Sequence, residues 1–186
     1  MKSSKWQVTS DRERRLWCWV GLVLIAIFST IGLARSLADI LGDKGFGVLP
    51  FILGLCLVLL TIITNGLRVR PGGREIAVSL GIAAVYLLVV VRMAIPTERS
   101  HLVEYGVLAV FILAALRERT EQGRPVVYPP LVAVIAASAF GVMDEIFQIL
   151  LPQRVFDWED VLFNTLASVM AVASSELLRW IALPRK

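Results

Sequence analysis

The composition of this 186-residue chain excludes most classes of soluble protein. Hydrophobic residues make up 57% of it and charged residues 18%, whereas soluble domains contain about 45–50% and about 25%. The excess lies in long uncharged blocks, which indicates a helical integral membrane protein. A net charge of +4 would suggest a nucleic-acid partner in a soluble protein. Here the basic residues lie at the ends of apolar blocks, so we expect no nucleic-acid partner.

Six apolar blocks predict six transmembrane helices. They are residues 16–34, 47–67, 76–91 continuing to 96, 101–116, 126–143 continuing to 151, and 161–175. Each block reaches the roughly 20 residues that a spanning helix needs once its polar ends are included. The two cysteines, Cys18 and Cys56, lie inside apolar blocks. They are therefore expected to be packing residues rather than disulfide partners.

The distribution of basic residues predicts the orientation of these helices. Short connections make neighbouring helices antiparallel. With a cytoplasmic N-terminus, 14 of the 19 Lys and Arg residues lie on the inside and 5 on the outside, as the positive-inside rule requires. We therefore predict an all-α bundle of six spans in a bacterial inner membrane, with both termini cytoplasmic. Residues 1–75 form an apolar two-helix hairpin, and residues 76–186 form a four-helix unit.

The polar residues of the last three spans are predicted to meet at the outward end of the bundle. Asp144 lies about seven residues before the end of its helix, or ~10 Å below the membrane boundary. A charge that faces lipid near the membrane centre costs roughly 2.5–3.5 kcal/mol, so Asp144 is expected to face the interior with a partner such as Arg154, Arg92 or His101. The predicted ligand-binding residues are His101, Glu104, Asp144, Glu145, Gln148, Arg154, Asp157, Asp160 and Asn164.

The chemistry of this group is left open by its residue types. Histidine and carboxylates bind divalent metals or act as acid and base, and Glu145, His101 and Asp144 would be the catalytic candidates. No known metal-site motif occurs in the sequence, so no metal or other cofactor is assigned. Structural roles also fit: Asp160 suits the first turn of a helix, and Asn164 suits a hydrogen bond between membrane helices. Arginines near the group indicate an anionic ligand such as a phosphate.

Three segments resemble the motifs of VanZ-like membrane proteins. The family's Asp-Lys-x-x-His-Phe-x-x-Tyr signature has its counterpart in residues 98–105 (ERSHLVEY). The Asp/Ser-Glu-x-x-Gln element is similar to residues 144–148 (DEIFQ). The final Pro-x-Arg and Asp-x-x-x-Asn elements are similar to residues 152–165 (PQRVFDWEDVLFNT). In the first motif the acid–base pair stands one residue closer to the histidine, and Leu102 replaces the usual Phe. The resemblance covers residues 76–178 and leaves the first two spans outside it.

The resemblance implies a cell-envelope role without implying a reaction. The family's polar positions fall on His101, Glu145, Gln148, Arg154, Asp160 and Asn164. The namesake of the family is associated with low-level resistance to the glycopeptide teicoplanin. An older phosphotransbutyrylase label in the family does not suit an outward-facing group, because that reaction uses soluble acyl-CoA and phosphate.

Three functional hypotheses follow. The leading one is an outward-facing polar pocket that binds a lipid headgroup, a lipid-linked glycan or a glycopeptide-type molecule. The second is a membrane-embedded enzyme, with acid/base or metal-assisted chemistry on a lipid-linked substrate. The third is a small scaffold subunit of a larger membrane complex, which would dock on a membrane-protein partner through residues 16–67.

Overall fold

The computed structural model describes residues 10–41, 73–92, 96–150 and 156–182, and all regular structure in these ranges is helical. The helices are α1 (Asp11–Leu41), α2 (Gly73–Arg92), α3 (Pro96–Glu121), α4 (Pro129–Ile149) and α5 (Trp158–Ala182). They correspond to the first, third, fourth, fifth and sixth predicted spans. The predicted second span, residues 47–67, lies outside the described residues. The all-α class is thus confirmed.

Local chemistry sets where two of these helices begin. Ser10 caps α1, because its hydroxyl oxygen accepts a hydrogen bond from the backbone N–H of Glu13 at 3.1 Å, as an N-cap serine does. The fifth span was predicted to start at residue 126, but α4 begins at Pro129. The residue before a proline is disfavoured in helical conformation, and Tyr128 has a left-handed backbone with φ 51°.

Membrane character is evident in two of the described helices. Among the described residues, α4 and α5 are long and apolar enough to cross a membrane by length and composition, and α2 contains a shorter apolar stretch, Ile76–Val89. Large apolar side chains are exposed on the outer faces of these helices, including Leu80, Ile135 and Leu162. The number of spans and the position of the termini remain predictions.

The central helix of the bundle is α3. It packs against α5, α4 and α1, while α2 packs against α5. Its large buried side chains include Leu102, Tyr105, Leu108 and Leu113, so the middle of this helix is covered by its neighbours. Small buried residues of α4 and α5, including Ala133, Ala137 and Ala167, line the contacts. Small side chains allow membrane helices to approach closely.

Helices α3 and α5 run parallel and are linked near both ends. Near their starts, His101 Nε2 lies 3.9 Å from Asp160 Oδ2. Near their ends, Arg117 and Glu176 form an ion pair. The two links lie the same distance apart along both helices, ~24 Å at 1.5 Å per residue. This spacing is comparable to the roughly 30 Å hydrocarbon thickness of a bilayer.

A polar network fastens the start of α1 to the end of α3 and the loop that follows it. Glu13 is only 1% exposed and forms an ion pair with Arg124. The backbone N–H of Ser10 donates to Gln122 Oε1 at 3.2 Å, and Arg124 also donates to Gln122 Oε1 at 2.9 Å. This network fixes α1 against the end of α3 that lies far from His101.

Glu13→Gln is expected to destabilise the chain by about 1–2 kcal/mol, because it leaves a partly buried guanidinium with a weaker acceptor. Asp11→Asn is the matched control. Asp11 pairs with Arg14 at 2.5 Å, but both side chains are largely exposed, and such pairs contribute little. Thermal unfolding in one detergent would compare the two variants. Equal melting temperatures would contradict the assignment of Glu13 to a stabilising network.

Candidate functional site

Polar side chains from three helices meet where α3 begins, α4 ends and α5 begins. Eight of the nine predicted ligand-binding residues lie in this region, and Arg154 lies outside the described residues. Tyr105 belongs with them and was not among the predicted ligand-binding residues, although it lies on the same helical face as His101. The polar cluster is defined here as His101, Glu104, Tyr105, Asp144, Glu145, Gln148, Asp157, Asp160 and Asn164.

Glu145 connects the end of α4 to the start of α5. The side chain is fully buried. Its Oε1 accepts a hydrogen bond from Gln148 Nε2 at 2.9 Å, and its Oε2 accepts one from the backbone N–H of Asp157 at 3.1 Å. Because both carboxylate oxygens accept hydrogen bonds, this residue is well suited to hold the two helix ends in place.

His101 joins α3 to α5 at the same level. Its ring stacks on Tyr105 with centroids 6.0 Å apart and planes inclined by 28°. Its Nε2 lies 3.9 Å from Asp160 Oδ2. Asp160 lies in the first turn of α5, where the helix dipole also favours an acid. The structural role predicted for Asp160 is therefore accompanied by a contact with another helix.

Asp144 and Tyr105 face each other in the interior, yet one oxygen of each makes no hydrogen bond of ordinary geometry in the described part of the chain. Asp144 is 2% exposed and Tyr105 is 0% exposed. They are close electrostatic neighbours, yet neither Asp144 Oδ1 nor the Tyr105 hydroxyl has a hydrogen-bond partner in the described part of the chain. Buried polar atoms without partners are uncommon in native proteins. Each one therefore calls for an explanation.

Asn164 presents a third such group. It is fully buried, and both atoms of its amide lack a hydrogen-bond partner among the described residues. The interhelical hydrogen bond expected of it is thus not observed there. The side chain instead packs against Gly141 of α4, where an added Cβ would lie 2.8 Å from Asn164 Cβ. The absence of a side chain at Gly141 therefore leaves room for Asn164 between α4 and α5.

Acidic groups predominate in the described part of the cluster. It holds the five carboxyl side chains Glu104, Asp144, Glu145, Asp157 and Asp160, against the single imidazole of His101. The side chains of Arg92 and Arg154, the other cations expected nearby, lie outside the described residues. Within residues whose placement is described, no group of three or more His, Cys, Asp or Glu side chains has the arrangement of a metal site.

A separate crevice of about 580 Å³ lies between α2 and α5. Its lining is mostly apolar and includes Gly81, Val85, Tyr86, Met170 and Ser174. None of the polar cluster contributes to it. The pocket predicted between the fourth, fifth and sixth spans therefore does not coincide with this crevice.

Comparison with known families shows which family the chain belongs to. The model of the VanZ/LLP1 family matches residues 16–179. The chain belongs to the VanZ/LLP1 family. The match begins within α1, so the resemblance read from the motifs, which started at residue 76, was too short. The division into residues 1–75 and 76–186 is not tested by this match and stays a prediction.

Membership of the VanZ/LLP1 family supports a membrane protein and specifies no reaction. Neither the curated proteins nor the solved structures gave a significant match. The three motif segments contribute to the polar cluster, since they supply His101, Asp144, Glu145, Gln148, Asp160 and Asn164. The cluster is therefore the candidate functional site of this VanZ/LLP1 protein.

Proposed function

We propose that this VanZ/LLP1 protein is a multi-pass protein of the bacterial inner membrane whose polar cluster faces outward and binds a membrane ligand. The ligand is a lipid headgroup, a lipid-linked glycan or a glycopeptide-type molecule. One observation carries the proposal: α3, α4 and α5 each contribute one buried residue with polar atoms that have no partner among the described residues, namely Tyr105, Asp144 and Asn164. Each such group costs about 1–3 kcal/mol, and a ligand that bonds to it removes that cost.

The remaining residues of the cluster take supporting roles in this proposal. Glu145 and Gln148 position the end of α4, since they bond to each other and Glu145 bonds to the start of α5. His101 and Asp160 hold α3 beside α5. Arg154 is proposed to contact an anionic part of the ligand, as its place in the motif suggests.

The outward orientation rests on the charges at the opposite end of the bundle. Arg117, Arg119 and Arg124 follow the apolar part of α3, and Arg179 lies in the last turn of α5. Basic residues collect on the cytoplasmic side of membrane proteins. The cluster, at the other end of the same helices, is then on the outer side.

The bonding of Glu145 disfavours the form of the enzymatic alternative in which Glu145 is the base. A general base needs an oxygen that can reach the proton it removes. Both oxygens of Glu145 accept hydrogen bonds within the protein. Asp144, with its unbonded Oδ1, is better suited to contact a ligand than Glu145 is.

Tyr105→Phe tests the binding proposal, since it deletes one buried hydroxyl and leaves the packing unchanged. We expect the occupancy of a co-purifying lipid or glycolipid to fall by about tenfold, the effect of losing roughly 1.4 kcal/mol of binding. Folding stability should fall much less than occupancy, because the hydroxyl faces Asp144 but makes no hydrogen bond of ordinary geometry in the described structure. Native mass spectrometry of the protein in bacterial-lipid nanodiscs measures occupancy, and thermal unfolding measures stability.

Tyr86→Phe is the matched control for this experiment. Tyr86 lies in α2 beside the apolar crevice and outside the polar cluster, so its hydroxyl should not affect occupancy. Unchanged occupancy in Tyr105→Phe, or the absence of any retained ligand in the wild-type protein, would contradict the proposal.

A further inference from the structure

We infer that the group received by the polar cluster is a primary ammonium, such as that of an aminophospholipid headgroup. This inference rests on the proposed binding function and specifies the chemistry of its ligand. It follows from the charge, the hydrogen-bonding capacity and the accessibility of the cluster.

The charge of the described side chains favours a cation. Asp144 has Glu104, Glu145 and Asp160 among its electrostatic neighbours, with His101 as the basic one. Charges interact more strongly at the effective dielectric of a protein than in bulk water. Several carboxyl groups around one position therefore attract an ammonium and oppose a phosphate there.

The unsatisfied oxygens of the cluster match an ammonium in number, whereas the unsatisfied donor Asn164 Nδ2 needs an acceptor from another part of the ligand. Three oxygens without partners among the described residues come from three helices: the Tyr105 hydroxyl, Asp144 Oδ1 and Asn164 Oδ1. A primary ammonium has three N–H donors and no acceptor. A quaternary ammonium such as choline has no N–H to donate, so it cannot satisfy these oxygens.

The burial of these oxygens limits the size of the group. Tyr105, Asp144 and Asn164 are at most 2% exposed. A group that reaches all three must be small, and an ammonium is close to a water molecule in size. The bulkier rest of the ligand would then lie outside the buried part of the cluster.

The experiment compares lipids that differ at the amine. Wild-type protein is placed in nanodiscs of equimolar phosphatidylethanolamine, phosphatidylcholine and phosphatidylglycerol, and the retained lipids are identified by native mass spectrometry. We expect phosphatidylethanolamine to be retained about tenfold over phosphatidylcholine, which carries the same phosphate. Asp144→Asn should reduce this preference to near parity. Glu159→Gln, which neutralises an exposed acid in the first turn of α5, should leave it unchanged.

Soluble ethanolamine distinguishes the two sources of the amine. If it displaces phosphatidylethanolamine, the cluster recognises the amine itself and a free amine can be the ligand. If the preference persists in its presence, the lipid is the ligand. Both results support ammonium recognition.

Other outcomes separate this inference from the proposed function. Equal retention of phosphatidylethanolamine and phosphatidylcholine, or preference for phosphatidylglycerol, would overturn the ammonium assignment and leave ligand binding standing. A preference unaffected by Asp144→Asn would also overturn it. Retention of no lipid in these nanodiscs would overturn the ammonium inference, and the absence of any retained ligand in bacterial-lipid nanodiscs as well would overturn the proposed function.

Discussion

Glu145→Gln is expected to loosen the junction between α4 and α5 and to reduce folding stability by about 2–3 kcal/mol. In the wild-type protein, two donors point at the two oxygens of this fully buried carboxylate: the Gln148 amide at 2.9 Å and the Asp157 backbone N–H at 3.1 Å. A glutamine has only one acceptor oxygen. Its NH₂ must therefore face one of these donors and leave it unsatisfied, or the Gln148 amide must flip and turn its own donor away from its present contact.

Hydrogen exchange provides the local measurement for this variant. The Asp157 amide should exchange faster in Glu145→Gln, because its acceptor is lost or weakened. Thermal unfolding measures the global effect. Glu159→Gln is the control, since it makes the same chemical change at an exposed position of the same region. Unchanged exchange at Asp157 would show that Glu145 does not hold the start of α5.

A double variant tests the arrangement of donors and acceptors directly. When Glu145→Gln is combined with Gln148→Glu, the amide introduced at position 145 can accept from the Asp157 N–H through its oxygen. Its NH₂ can donate to the carboxylate introduced at position 148, so every donor regains an acceptor. We expect stability to recover most of the loss, since interacting residues are not additive. No recovery would indicate that the negative charge at position 145 matters more than the hydrogen bonds.

The helices were largely predictable from sequence because uncharged blocks have few alternatives to forming helices in a membrane. The start of α4 was placed three residues too early, since apolar composition carried more weight than the constraint that Pro129 imposes on Tyr128. The burial of Glu13 could not be predicted. Its partner Arg124 is 111 residues away, and nothing in the local sequence distinguishes Glu13 from a solvated charge.

The membership of the candidate site was also largely predictable, because antiparallel helices bring the end of one span to the start of the next. How its members bond was not. The sequence does not distinguish Glu145, whose oxygens both accept hydrogen bonds, from Asp144 beside it, whose Oδ1 has no partner among the described residues. That difference depends on which face of α4 meets the chain entering α5. The sequence consequently left Glu145, His101 and Asp144 as equal catalytic candidates.

Gly141→Ala is expected to destabilise the chain by about 2–3 kcal/mol, near the upper end of the usual cost of overpacking. An added Cβ would lie 2.8 Å from Asn164 Cβ and 3.0 Å from Asn164 Nδ2. The Cβ of Asn164 is fixed to its backbone, so no change of rotamer relieves the contact and α4 must move away from α5. This separation displaces Asn164 of α5 from the cluster residues of α4, so ligand occupancy should fall as well. Thermal unfolding and native mass spectrometry measure the two effects.

Gly106→Ala is the matched control, because it makes the same change in a neighbouring buried helix. Its new Cβ would meet Ala171 Cβ at 3.7 Å, an ordinary contact. Alanine is about 1 kcal/mol more favourable than glycine in a helix, so this variant should be neutral or stabilised. The propensity gain applies equally at both positions, and the difference between the variants therefore reports the close approach of Gly141 to Asn164. Adding Asn164→Gly to Gly141→Ala removes the opposing Cβ. That double variant should melt above Asn164→Gly alone if the contact is the cause, and below it if Gly141 is required for another reason.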